Sequence, residues 1–150
     1  MSRLGQVYLF ADLDEAEKAK VEGIAQASTL EAGQEVFREG DTADALYIVK
    51  YGSVRLSQSG DNATMMVTQL GSGSHMGEMG LIDGGTRSAT ATVLEHSEIV
   101  AIPYADLESL FAAEPVIAVK VYRACAKFLS GRLRQTTRSL NFARDSLMHG

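Results

Sequence analysis

The predicted fold class is mainly β with flanking helices: an antiparallel jelly-roll β-barrel, a short N-terminal helix and a long C-terminal helix. Three observations predict it. Between residues 30 and 102, short runs of period-two or fully apolar character alternate with glycine-rich turns. Helical periodicity is confined to residues 12–28 and to the chain beyond Tyr104. The 150 residues, 45% hydrophobic and 22% charged, suit one ordinary globular domain with a real core.

Residues 12–28 read as a helix. Asp12 is positioned to cap it, with Glu15 in capping-box position, and Leu13, Ala16, Val21, Ile24 and Ala25 give an apolar face. Strand-like runs follow at Glu35–Phe37, Ala45–Val49, Ser53–Ser57, Met65–Leu70, Thr90–Val93 and Glu98–Ile102. Turn signals separate them at Ala32-Gly, Glu39-Gly-Asp, Tyr51-Gly, Ser59-Gly-Asp-Asn, Gly71-Ser-Gly-Ser and Asp83-Gly-Gly. Helix returns over Tyr104–Ala113. Pro115 then stands where a first-turn proline loses no helical hydrogen bond, and a helix of about 30 residues is expected after it. The expected division is residues 1–114 for the N-terminal helix and barrel, and 115–150 for the long helix of the same domain.

Two stripes run along that helix. Ile117, Val121, Ala124 and Phe128 cover its first half and are expected to dock on the barrel. Tyr122, Ala126, Leu129, Leu133, Thr136, Leu140, Ala143 and Leu147 recur with spacings of four and three, which is an a/d seam. Because this seam outlasts the docking stripe, a parallel homodimer through the helix is expected. Thr136 weakens such a seam unless its hydroxyl finds a partner.

Residues 1–114 carry 7 basic and 18 acidic side chains, whereas residues 115–150 carry 7 basic and one acidic. The basic tail reads either as a solvated helix facing an acidic domain or as a nucleic-acid patch. One cysteine, Cys125, cannot form an internal disulfide. No secretory leader and no apolar run of ~20 residues is present, so a cytoplasmic, reducing compartment is expected. His75, His96 and His149 lack metal-ligand spacing, and His75 reads as an exposed loop histidine or, lying just before residues 76–93, as one that approaches a ligand there. No nucleophile elbow or phosphate-binding lysine loop appears, so catalysis is not expected.

The segment Met76-Gly-Glu-Met-Gly-Leu-Ile-Asp-Gly-Gly-Thr-Arg-Ser-Ala carries the functional signal. It sets a carboxylate, Glu78, and a guanidinium, Arg87, nine residues apart, with small residues that let backbone N–H groups approach a ligand. Such a pair serves a hydroxyl-bearing sugar at one end and a phosphate at the other. The alternative is a surface ion pair worth ~0–1 kcal/mol.

The whole arrangement resembles the cyclic nucleotide-binding domain, a family that includes bacterial catabolite activators and the regulatory subunits of protein kinase A. Leu9-Phe-Ala-Asp-Leu, Gly33-Gln-Glu-Val-Phe-Arg-Glu-Gly-Asp, Leu46-Tyr-Ile-Val-Lys-Tyr-Gly-Ser-Val and the Gly-Glu…Arg-Ser-Ala cassette carry the resemblance over nearly the full chain. It implies that Arg87 pairs with a cyclic phosphate through its planar fork, helped by Ser88 and by the backbone N–H of Ala89. It implies that Glu78 accepts from the ribose 2′-hydroxyl and that Gly77 lets the chain come close. Residues 78–82, including Met79, then form the short helix of a phosphate cassette. Leu56 and Val67 lie where the base rests, although both also suit plain core. Arg132 would brace Glu78, and Thr136 and Thr137 would contact the base from the two helices of a dimer, Thr136 being equally suited to setting coiled-coil register.

Two features depart from the family pattern. Thr86 replaces a common proline, and no helix-turn-helix DNA reader is expected in this chain. The implied role is a cyclic nucleotide sensor, cAMP favoured over cGMP, that signals to an unknown effector protein without membrane contact. Competing readings are a degenerate dimerisation or scaffold module, and a contact for nucleic acid or an acidic partner through Lys120, Arg123, Lys127, Arg134 and Arg138.

Overall fold

Antiparallel pairing organises residues 26–103 into two four-stranded sheets. The computed structural model describes Leu4, residues 6–59 and residues 64–149, with side chains except at 64–67, 148 and 149. The strands are β1 (Gln26–Leu30), β2 (Glu35–Phe37), β3 (Ala45–Tyr51), β4 (Val54–Ser59), β5 (Thr64–Leu70), β6 (His75–Met76), β7 (Thr90–Val93) and β8 (Ser97–Pro103). One sheet has the order β1-β8-β3-β6 and the other β2-β7-β4-β5. This is the expected mainly β jelly roll. The helices are α1 (Glu15–Glu22), α2 (Glu78–Asp83), α3 (Tyr104–Ala113) and α4 (Pro115–His149).

The apolar runs of β3 and β8 are explained by burial on both faces. Side chains alternate across a strand. Leu46, Ile48, Val100 and Ile102 therefore face the helices, and Val49 and Ile99 face the second sheet. The helix-side core joins Leu9, Phe10, Leu13 and Val21 to Leu107 and Phe111 of α3 and to Ile117, Val121, Ala124 and Cys125 of α4. Each fully buried aliphatic side chain contributes about 1.5–3 kcal/mol. The docking stripe of α4 is thus seated as expected, with Phe128 half-buried. From Ser130 to Leu147 every residue is exposed.

Three expectations need correction. The first helix is shorter: its cap is Asp14, not Asp12, and the capping box is closed by Glu17. Residues 26–28 belong to strand β1, because the backbone of β8 offers a ladder from Gln26↔Ala101 to Leu30↔Ser97. Finally, His75 is only 6% exposed and sits in β6, paired opposite Ile48. Of the turn expected at residues 59–62, residues 60–62 lie outside the described residues.

Ion pairs tie α1 to the helices that follow the barrel. Lys120 of α4 reaches Glu17 of α1 at 2.7 Å, and Lys20 of α1 reaches Glu114 at 2.5 Å. Lys120 and the Asp14 backbone hold the Glu17 carboxyl below its ordinary value. One member of the basic stripe is therefore committed within the chain. Among the described residues, no helix is long and apolar enough to cross a membrane.

Cys125 tests the docking of α4. Burial, with a smaller push from the negative charge of Glu78, raises its thiol to about 11, so little thiolate exists at neutral pH. Native protein is expected to resist iodoacetamide at pH 7.5 and to label fully in denaturant, as mass spectrometry can read. Rapid native labelling would show that α4 leaves the barrel readily.

Candidate functional site

Two glycines let α2 press against the barrel. Gly77 has φ 95°, and a Cβ there would lie 2.7 Å from Arg87 Nη1 and 2.9 Å from the Ala45 carbonyl oxygen. A side chain at Gly80 would meet the Tyr104 hydroxyl at 2.6 Å and Ala43 Cβ at 2.7 Å. Only glycine tolerates both the left-handed backbone and the close approach at position 77. The bare backbone of α2 consequently lies against the first residue of α3.

Arg87 enters from a clamped backbone. Its N–H donates to Asp41 O at 2.8 Å, and its carbonyl accepts from Gly40 N at 2.9 Å. The side chain is buried. Nη2 donates to Ala45 O at 2.8 Å, Nη1 donates to the Tyr104 hydroxyl at 3.4 Å, and Asp44 lies 3.5 Å away. The guanidinium carbon stands 4.3 Å from the Phe37 ring centre and 5.3 Å from that of Tyr47. The buried Nε has no hydrogen-bond partner among the described residues. Leaving such a donor unmet costs about 1–3 kcal/mol.

Tyr104 connects the two sides. Its hydroxyl accepts from Arg87 and donates to the Gly77 carbonyl. Burial raises its pKa above the ordinary tyrosine value, partly offset by Arg87. The phenol accordingly stays protonated near neutrality and available as a donor.

Glu78 is buried, and its Oε2 lies 3.2 Å from His75 Nδ1. The His75 ring meets Phe128 of α4 edge-on, with centres 4.5 Å apart. Arg132 does not take the bracing role expected of it. Its guanidinium sits 5.7 Å from the Phe128 ring centre, and the hydrogen-bond partner of Glu78 among the described residues is His75.

A cavity of about 810 Å³ lies between the barrel and α4. Gly77, Glu78, Met79, Arg87, Ser88, Ala89, Leu56, Arg132 and Thr136 all line it. Ser88 is exposed, with its carbonyl accepting from Gln58 Nε2 at 2.9 Å. Thr137 faces elsewhere, grouped with Arg134 and Arg138 on another side of α4. The hydroxyls of Thr136 and Thr137 donate to the carbonyls of Arg132 and Leu133 at 3.0 and 2.9 Å. Val67 lies on β5, its side chain outside the described residues. Sequence reasoning missed Tyr104, Phe37 and Phe128. The position of Tyr104, directly after a strand and opening a helix, was the available signal.

Residues 27–114 match the family model described as the cyclic nucleotide-binding domain. A putative potassium channel protein of Rhodopseudomonas palustris is 32% identical over 120 residues, covering 80% of this chain and 29% of that protein. The cyclic AMP receptor protein of Thermus thermophilus is 36% identical over 112 residues, covering 73% of this chain and 49% of that protein. The chain thus spans less than half the length of either relative. Among solved structures, the N-terminal domain of a transcriptional regulator from Streptomyces coelicolor A3(2) superposes with a TM-score of 0.78 at 33% identity. That match covers 91% of this chain and 95% of the other.

Tyr104→Phe removes the donor to Gly77 and the acceptor for Arg87. Unfolding in urea is expected to show a loss of about 1–3 kcal/mol. Unchanged stability would mean that the hydroxyl contact contributes nothing net.

Proposed function

The chain belongs to the cyclic nucleotide-binding domain family, and on that premise we propose that it is a homodimeric receptor for a 3′,5′-cyclic nucleotide, cAMP in preference to cGMP. The observation that carries this reading is the buried Arg87 guanidinium. Its Nε has no partner among the described residues, and it lines the same cavity as the buried Glu78. A cation at one end and a carboxylate at the other suit one small ligand bearing both phosphate and hydroxyl groups.

In this reading the cyclic phosphate accepts from the Arg87 fork, the Ser88 hydroxyl and N–H, and the Ala89 N–H. Glu78 accepts from the ribose 2′-hydroxyl. Leu56 and Thr136 lie toward the base, and Gly77 and Met79 flank the sugar-phosphate. The preference for cAMP is supported by the relative from Thermus thermophilus, which is named a cyclic AMP receptor protein. The role is recognition rather than catalysis, in a cytoplasmic protein.

The exposed half of α4 supports a dimer. Leu133, Leu140 and Leu147 are 67%, 66% and 87% exposed. Most helical stability in proteins comes from packing an amphipathic face, and burying this seam against a second copy would supply it. Leu129, Leu133, Thr136 and Leu140 of the seam also line the cavity. A partner helix on the seam would therefore cover the base side of the site. Ligand would shift the population of α4 positions, and a partner protein would read that shift. The scaffold reading shares the helix but predicts no ligand. The nucleic-acid reading has to do without Lys120, which Glu17 already holds.

Titration calorimetry with cAMP and cGMP is expected to show binding by the wild type, tighter for cAMP. Arg87→Ala is expected to weaken it about 100-fold or more, since each hydrogen bond to a charged group is worth about 1.5–3 kcal/mol. No binding by either nucleotide, or unchanged affinity in the variant, overturns the reading.

The dimer is tested separately. Leu140→Glu places a carboxylate in the seam of both helices, and light scattering is expected to show the mass falling from two chains to one. A wild type that is already monomeric at about 100 μM, well above the nanomolar-to-micromolar constants of stable complexes, contradicts the seam.

A further inference from the structure

The buried histidine beside Glu78 has no role in the scheme above. His75 and Glu78 are both nearly inaccessible, with side chains 3% and 6% exposed. A histidine in a chain reversal is ordinarily solvated. This one is drawn inside because β6 pairs with β3, setting His75 opposite Ile48. The three-residue offset from β6 into the first turn of α2 then brings its Nδ1 to Glu78 Oε2.

We propose that His75 is a positioning residue for ligand recognition. It fixes the Glu78 carboxylate so that this group can accept a ribose 2′-hydroxyl. The inference rests on the cyclic nucleotide reading of the cavity and adds a residue to it.

The argument is one of acceptor geometry. A carboxylate only accepts, so Nδ1 carries the hydrogen in this contact. Two oxygens offer about four lone-pair sites, and a bond at Oε2 leaves capacity for a ligand hydroxyl. Without that donor the buried carboxylate would be free to rotate about its last torsion, which is broad and weakly preferred. The imidazole is itself held. Its edge-on contact with Phe128 fixes the ring plane, and such aromatic pairs favour this arrangement. Phe128 is in turn flanked by Tyr8, with ring centres 6.0 Å apart, and by Arg132. The orientation of Glu78 therefore depends on an α4 residue through a single intervening ring.

The test compares cyclic AMP with 2′-deoxyadenosine 3′,5′-cyclic monophosphate, which lacks only the hydroxyl that Glu78 would bind. Wild type is expected to prefer cyclic AMP by about 10- to 100-fold. In His75→Phe that preference is expected to fall to within about threefold, because affinity for cyclic AMP drops while affinity for the deoxy analogue is kept. His75→Gln retains an N–H donor and is expected to restore most of the preference. Equal losses for both ligands, or an unchanged ratio, would assign His75 a merely structural part and overturn the inference. Failure of wild type to bind either ligand would overturn the ligand reading, and this inference with it. If the Phe variant does not fold, nitrogen-15 spectra of histidine-labelled wild type decide the matter. The His75 Nδ1 signal should move with cyclic AMP and stay put with the deoxy analogue, and equal shifts with both would count against the proposal.

Discussion

A guanidinium held inside a β-barrel demands acceptors, and the residues around Arg87 are arranged by that demand. Arginine keeps its charge and presents five donors in a rigid plane. The Ala45 carbonyl at the start of β3, the Tyr104 hydroxyl at the start of α3 and the Asp44 carboxylate answer part of it, and the rings of Phe37 and Tyr47 cover its faces. One side chain thereby joins both sheets to α3. The unmet Nε is the part of the demand that the protein leaves to something else. Removing one partner of a buried charge is costly, so the acceptors around Arg87 are fixed parts of the structure.

From that corner, two routes lead to α4. At the phosphate end, Tyr104 bridges Arg87 and Gly77, and Phe111 further along α3 stacks edge-on against Tyr122 of α4 at 5.2 Å. At the sugar end, Glu78, His75 and Phe128 form a shorter chain. Leu81 of α2 shares one apolar core with Ile117 and Val121 of α4. Close-packed interiors transmit displacement rather than absorb it. A ligand seated between Glu78 and Arg87 would therefore bear on α4 at both ends, which gives the proposed population shift a physical path.

Much of the fold was legible because its signals are local. Period-two runs and glycine turns marked six of the eight strands, and a first-turn proline marked α4. The first three residues of β1 carry a helix expectation because Val21, Ile24 and Ala25 continue a helical spacing past Gly23. What makes Gln26–Leu30 a strand is the exposed backbone edge of β8, some 70 residues away in sequence. His75 was misread for a related reason, since a two-residue strand has too little pattern to announce itself. The seam was visible as a repeat, but which half of α4 docks depends on the apolar surface that α1, α3 and the barrel jointly present.

The sequence by itself determined the strand pattern, the long helix and the cassette from Gly77 to Ala89, because alternation, capping and close approach are properties of neighbouring residues. Tertiary structure alone decided that Arg87 is buried with an unmet donor, that Glu78 pairs with His75 rather than Arg132, and that Thr136 but not Thr137 faces the cavity. The burial of Arg87 and of His75 rests on contacts between segments distant in sequence, and the places of Arg132 and Thr136 rest on the rotation of α4 about its axis. A helical period defines the faces of a helix but not which of them turns inward, and that choice belongs to the surface it meets.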